Sequence, residues 1–323
     1  EEGDQQQPVE GRQAAHRRIA EVLAARCGET GGSRPETLAR HWAAAGEAVR
    51  AAEQWREAGR LATLHSANRE AAAHFRCGLD AVAALPEGPQ RIHLEFDLQV
   101  GLGSVLCAME GFASAEAARV FARAIELCGR HEGSPDMFKA MWGMWVSASS
   151  RSGYPHSLEV AQQLLRMARQ SGEPVQLHQA HFAVGNIQFW RGEFVEARDH
   201  LEQAMALYQP EHHELDVAQF GENGYVTSGS YLSWTLWFLG MPDQARDVSR
   251  RIVSFAKEVG HPFSLGYALT FAMVLRRLLR EPDATLALSR ETMDLADEHD
   301  FPLWQAGAAL KEGWARVMQG DPD

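Results

Sequence analysis

The sequence predicts an all-α fold, a right-handed superhelix of packed helical hairpins. Three observations predict it. Apolar residues recur at helical spacing through most of the 323 residues, and no stretch of any length alternates apolar and polar residues as a half-buried strand does. A third signal is internal repetition: a turn is followed by a small residue, a bulky one and another small one. The first small position falls at Ala117, Ser157, Ala197, Ala245 and Thr285, so the intervals are 40, 40, 48 and 40.

Taken in order, residues 1–11 ("EEGDQQQPVEG") read as a disordered polar tail, without the basic and then apolar regions of a signal peptide. "RQAAHRRIAEVLAARC" follows as one amphipathic helix with Ala15, Ile19, Val22, Leu23 and Arg26 along a face. "HWAAAGEAVRAAEQWREAG" carries the repeat through Gly46, Ala51, Trp55 and Ala58, and "HSANREAAAHFRCGL" through Ala71, Phe75 and Gly78. These two copies lie only 20 residues apart (Ala51 to Ala71), so one helix serves both hairpins. Further copies are "GFASAEAARVFARAIEL" with Gly111, Ala117, Phe121 and Ala124, and "SGYPHSLEVAQQLL" with Ser157, Ala161 and Leu164.

The clearest copy is "HFAVGNIQFWRGEFVEARDHLEQAMALY", residues 181–208. It sets Gly185 in a first helix, a turn at Gly192, then Phe194, Ala197, Leu201, Ala204 and Leu207 on the stripe of a second. After it comes "QPEHHELDVAQFGENG", residues 209–224, the least periodic stretch; it accounts for the 48-residue interval and reads as a longer loop. The pattern resumes at Gly240, Ala245 and Ile252, degrades around Arg280 and Thr285, and restarts with Gly313 and Gly320. Residues 12–323 thus read as one solenoid of about seven hairpins, the last truncated. With no second helix after Gly320 to cover an apolar face, it is expected to belong to a longer protein.

The 181–208 copy resembles the tetratricopeptide repeat in Gly185, Gly192, Phe194, Ala197, Leu201 and Ala204, and departs from it at His181, where that family favours tryptophan. The period of 40 exceeds that family's usual length of roughly 34, so each unit carries extra residues in helix ends or links. Over nearly the full length, stretches such as "HRRIAEVLAAR", "LARHWAAAG", "SANREAAAHFRCGL", "GHPFSLGYAL" and "FPLWQAGA" are similar to one group. It is the helical-repeat region of large bacterial signalling proteins, which joins a nucleotide-hydrolysing switch domain to a class III adenylyl cyclase domain or to a DNA-binding domain. The resemblance implies a regulatory, non-catalytic segment, with any ATPase or cyclase domain outside these residues.

"VGHPFSLGYA", residues 259–268, looks at first like a site, but "EGSPDMFKA", "SGEPVQLHQA" and "HDFPLWQAGA" share its proline and a following alanine. Each is a helix start, because proline's fixed φ suits the first helical turn and its missing N–H is not needed there. The matching entry positions hold Ser134, Glu173, His261 and Phe301, so no shared chemistry requires the imidazole of His261.

Catalytic, cofactor and metal sites are not expected. No GxxxxGK[ST] phosphate loop exists, and "GLGSVLCAMEG" lacks the lysine and a preceding strand. The serines of "SASSRSG" sit where a helix ends and have no nucleophile elbow around them. His178 and His181 share a helix face without an evident third ligand; His212 and His213 lie beside Glu211, Glu214 and Asp216 in what reads as a solvated loop. Cys27, Cys77, Cys107 and Cys128 form no CxxC pair and read as buried thiols. A net charge of −12 disfavours nucleic acid, no run of about 18 apolar residues suggests a membrane span, and the cytoplasm is the expected compartment.

What remains is the concave surface. The resemblance implies that the first helix of each hairpin lines the inside. This puts Phe182, Asn186, Phe189 and Trp190 inward in one unit, Ser230, Trp234, Trp237 and Phe238 in the next, and Trp142, Val146 and Ser149 in the one before. Each ring alone can pack between helices, yet so many facing aromatics point to a binding groove. Asn186 suits either a ligand's backbone or an interhelical bond. The expected partner is a protein or peptide segment, or an adjacent domain of the same chain; the alternative is a small-molecule inducer held inside the superhelix.

Overall fold

In the computed structural model, residues 9–30, 34–111, 113–128, 135–149 and 154–320 are described, and among them there are sixteen α-helices and no strand. They are α1 (Val9–Thr30), α2 (Pro35–Ala44), α3 (Ala48–Leu64), α4 (Asn68–Ala83), α5 (Pro89–Glu110), α6 (Ala115–Cys128), α7 (Pro135–Ser149) and α8 (Tyr154–Ser171). There follow α9 (Pro174–Arg191), α10 (Phe194–Leu207), α11 (His213–Phe220), α12 (Gly224–Phe238), α13 (Pro242–Val259), α14 (Pro262–Leu278), α15 (Pro282–His299) and α16 (Pro302–Gln319). All but α11 pack chiefly on helices adjacent in sequence, which makes an all-α superhelical solenoid of the tetratricopeptide-like kind.

The local signals act as expected. Pro135, Pro174, Pro262 and Pro302 each open a helix, and Gly192 closes α9 in the left-handed conformation with φ 81°. Helix α3 packs on both α2 and α4 and so serves two hairpins. Side chains of the second helices stand against glycines of the first. Phe75 on α4 lies between Gly59 on α3 and Gly101 on α5, and Phe121 on α6 between Gly103 on α5 and Gly143 on α7. A Cβ at Gly59 or Gly101 would lie 2.5 or 2.6 Å from the Phe75 ring, so the ring packs directly on two helix backbones.

Several expectations are corrected. Residues 209–224 are not a loop: a 3₁₀ turn, Pro210–His212, leads into α11, which packs against α3, α5 and α7. Val217 and Phe220 are the apolar anchors that hold it there, and Asp216, Glu222 and Asn223 of the same segment are buried with them. The face of α1 marked by Ile19 and Val22 is 44% and 51% exposed, because α1 meets α2 through Ala20 and His16 instead. Cys77 is exposed, Cys107 and Cys128 are buried, and the side chain of Cys27 lies outside the described residues. Of the tail expected over 1–11, residues 1–8 lie outside the description, and Val9 to Gly11 are the first turn of α1. Of "SASSRSG", residues 150–153 also lie outside it, while α7 ends at Ser149. Helix α5 is long and apolar enough to cross a membrane, but 61% of its most apolar window is buried by its neighbours.

One superhelical turn closes on itself. His261, before α14, places Nε2 3.1 Å from Ser66 Oγ in the α3–α4 turn, while Ser66 Oγ accepts the Phe263 backbone N–H at 3.3 Å. Nδ1 of His261 meets Ser264 Oγ at 2.8 Å. Arg69 pairs with Asp300 near the same seam, and α16 touches α5. The imidazole is therefore a contact between distant turns of the solenoid, which no comparison of helix starts reveals.

Candidate functional site

The closed turn encloses a chamber of about 350 Å³. Its wall is built from the first helices of four hairpins. Trp142, Trp145, Val146 and Ser149 come from α7; Phe182, Asn186 and Trp190 from α9; Tyr231 from α12; and Tyr267 from α14. The floor is Glu222, in the short link between α11 and α12. On α9 these positions step by four residues, and on α7 they fall at 142, 145, 146 and 149, spacings of three and four about an adjacent pair, which is why one face of each helix supplies them.

The rings form a continuous wall. Trp142 and Trp145 have centroids 6.2 Å apart, Trp145 meets Phe182 edge-on at 5.8 Å, Phe182 lies 6.0 Å from Tyr231, and Tyr231 6.3 Å from Trp190. Trp190 is 46% exposed and stands at the mouth, with its indole N–H donated to Tyr231 Oη at 3.2 Å. Asn186 and Tyr267 also stand beside this phenol, so Asn186 is an interhelical contact that also faces the chamber. The buried indole N–H groups of Trp142 and Trp145 have no hydrogen-bond partner among the described residues.

Four of the eight residues expected in the groove line this chamber: Trp142, Phe182, Asn186 and Trp190. The other four are elsewhere. Phe189 is buried among Phe194, Tyr231, Trp234 and Phe238. Trp234 stacks on Phe271 at 3.9 Å and donates its indole N–H to the Phe271 carbonyl. Phe238 stacks on Phe194 at 4.7 Å, and Trp237 meets Phe238 edge-on. Sequence reasoning missed Trp145, Tyr231, Tyr267 and Glu222. Trp145 and Tyr231 lie one helical step from positions it did name, and Tyr267 lies in the "HPFSLGY" stretch read only as a helix start.

Glu222 is held by the segment that the sequence presents as a loop. Asn223, fully buried, caps α12 by accepting the Val226 N–H on Oδ1 at 3.1 Å. Its Nδ2 donates to Tyr208 Oη at 2.8 Å and to His213 Nδ1 at 2.9 Å, and its backbone N–H donates to Ser264 Oγ at 2.9 Å. Asp216 accepts from Gln179 Nε2 and from the Gly224 N–H, both at 3.2 Å. His213 and Asp216 are thus used in buried hydrogen bonds, and among the described residues no group of three metal-capable side chains comes together. His178 Nδ1 donates to the Ala204 carbonyl at 2.6 Å, and His181 and His200 face each other at 3.0 Å.

Burial pushes the Glu222 carboxyl up to about 8, with repulsion from Asp216 adding to it and a Thr227 hydrogen bond opposing it. Burial also pushes His181 and His261 down to about 4. Their effects on stability have opposite signs. Between about pH 4 and the ordinary histidine value near 6.5, the unfolded chain binds two protons that the folded one does not, so stability rises with pH. From the ordinary carboxyl range up to about 8, folded Glu222 keeps a proton that the unfolded chain has lost, so its contribution falls as pH rises. Two histidines outweigh one carboxyl on the acid side. Urea unfolding from pH 4.5 to 8.5 should give maximal stability at about pH 6.5, and Glu222→Gln should remove the decline above it; a decline left intact in that variant disproves the assignment.

No family model matches the chain. An uncharacterized protein of Rhizobium meliloti is 24% identical over 310 residues, covering 95% of this chain and 30% of that protein. The chain therefore spans less than a third of the curated relative it matches. Among solved structures, the apo quorum sensor NprR of B. thuringiensis aligns with TM-score 0.63 and 11% identity, covering 97% of this chain and 82% of that one. A Rap protein complexed with competence and sporulation factor aligns at 0.56 and 12%, covering 98% and 99%. Apo RapI aligns at 0.51 and 12%, covering 83% and 98%. At such identities the likeness is one of fold.

Proposed function

We propose that this chain is a non-catalytic regulatory module that receives a ligand in its concave chamber and passes the occupancy to the rest of a larger signalling protein. One observation carries the reading: residues from four hairpins and the α11–α12 link converge on one aromatic chamber of about 350 Å³. A volume at the lower end of the range of ligand sites, roughly 300–1,000 Å³, suits a compact ligand group. Any occupant bridges several repeats, so binding stiffens a solenoid whose stability is otherwise a sum of neighbour contacts.

The favoured occupant is a protein or peptide segment that inserts a side chain through the mouth at Trp190. That the Rap structure is a complex with competence and sporulation factor is in keeping with this reading. A free small molecule is the second reading, favoured by α11, which fills part of the groove an extended chain needs. The cytoplasm is the proposed compartment, and a switch ATPase, a cyclase or a DNA-binding domain is the proposed output.

The test is a melting scan of the purified protein against peptide and metabolite libraries, with Phe182→Ala as control. A ligand at 100 times its Kd should add about 2.7 kcal/mol, and Phe182→Ala should abolish the gain. A melting temperature unchanged across both libraries, or turnover of any compound, overturns the reading.

A further inference from the structure

The chamber pairs many π faces with one buried carboxyl. Glu222 is only 5% exposed, lies on the floor, and forms no ion pair among the described residues. Around it stand Trp142, Trp145, Phe182, Trp190, Tyr231 and Tyr267. A carboxyl placed so deep without a cation is costly, and proteins accept such a group chiefly where something compensates it. Aromatic faces attract cations through the ring quadrupole, and they do so most strongly in a desolvated site. They give a simple anion no matching advantage beside a carboxylate.

Resting on the reading of this chamber as a ligand site, we propose that it binds an alkylammonium group, with Glu222 as counter-charge and the rings as its cage. The group can arrive on a free small molecule or as the end of a lysine-type side chain; the chemistry recognised is the same. The net charge of −12 favours the approach of a cation from solution. Among the described residues the groups facing Glu222 are Asp216, Thr227, Cys107, Tyr231 and Tyr267, none of them cationic. Among the described residues no positive charge faces the carboxylate, and the ligand supplies one. In the empty chamber Glu222 holds a proton near neutrality, and cation binding expels it to solvent. Affinity then rises with pH, by about tenfold from pH 6 to pH 7, and levels off near pH 8.

The experiment is isothermal titration of the intact chain at pH 8 with choline, n-butylammonium and the neutral isostere 3,3-dimethylbutan-1-ol. Choline or butylammonium should bind at least about tenfold tighter than the isostere, the fold-change expected of a desolvated cation–π site. Butylammonium ahead of choline identifies a lysine-type source, and the reverse a quaternary one. Glu222→Gln should erase the preference and the pH dependence together. If that variant does not fold, Trp190→Leu at the exposed mouth should weaken the ammonium ligands more than the isostere. Isostere binding equal to that of the ammonium ligands overturns the cation assignment and leaves the chamber a ligand site. Binding of none of the three overturns the cation assignment, and the library scan then decides the wider reading on its own.

Discussion

Replacing Phe121 by alanine should destabilise the protein by about 4 kcal/mol. The side chain is 1% exposed, on α6, and its ring is wedged between helices α5 and α7. A Cβ at Gly103 would lie 2.6 Å from it, and one at Gly143 only 2.2 Å, so the ring rests on two helix backbones rather than on movable side chains. When the ring is removed, backbones cannot close the gap as side chains would. The cavity term then adds nearly in full to the lost transfer free energy. Gly143→Ala attacks the same contact from the other side and should cost about 2 kcal/mol by overpacking. Both are read from urea midpoints at unchanged slope. A loss below about 1.5 kcal/mol for Phe121→Ala would mean that the helices slide together, and would refute the wedge.

The same glycines explain why the fold is legible in the sequence. In a solenoid each hairpin repeats one packing problem, so small residues recur where helices touch, and the recurrence at Ala117, Ala197 and Ala245 marks it directly. Helix-opening prolines supply boundaries. The chamber is legible only in part. On α9 the assumed register holds for Phe182, Asn186 and Trp190, while on α12 it fails: Tyr231 faces the chamber and Trp234 turns to Phe271. The preceding unit ends in α11, an element the repeat does not contain, so α12 starts from a new cap at Asn223 rather than from a repeat turn. Glu222 carries no signal at all. A glutamate between glycines in a polar stretch has the composition of a solvated loop, and its burial follows from Val217 and Phe220, which fold that stretch into the groove. His261 is similar, since its partners Ser66 and Ser264 come together only when the superhelix completes a turn.

Asn223→Ala should cost about 3 kcal/mol and abolish ligand binding, because one side chain serves two structural tasks beside the chamber. The first is the cap of α12, whose loss is worth about 1 kcal/mol. The second is donation to Tyr208 Oη and His213 Nδ1; without it, half-buried acceptors on α10's flank and α11 lose their partner at about 1–3 kcal/mol. Two replacements separate the tasks. Asn223→Asp keeps the capping oxygen but has no amide donor, and it adds a buried negative charge next to Glu222 and near Asp216. It should be no more stable than the alanine variant at pH 8 and should recover as its carboxyl is protonated in acid. Asn223→Ser keeps a capping hydroxyl without the reach of the amide, and should regain only the cap, about 1 kcal/mol. If the alanine variant loses only that much, α11 is held by Val217, Phe220 and the Asp216 hydrogen bonds without help from Asn223. The carboxyl of Glu222 would then owe its place to packing, and ligand affinity should survive the substitution.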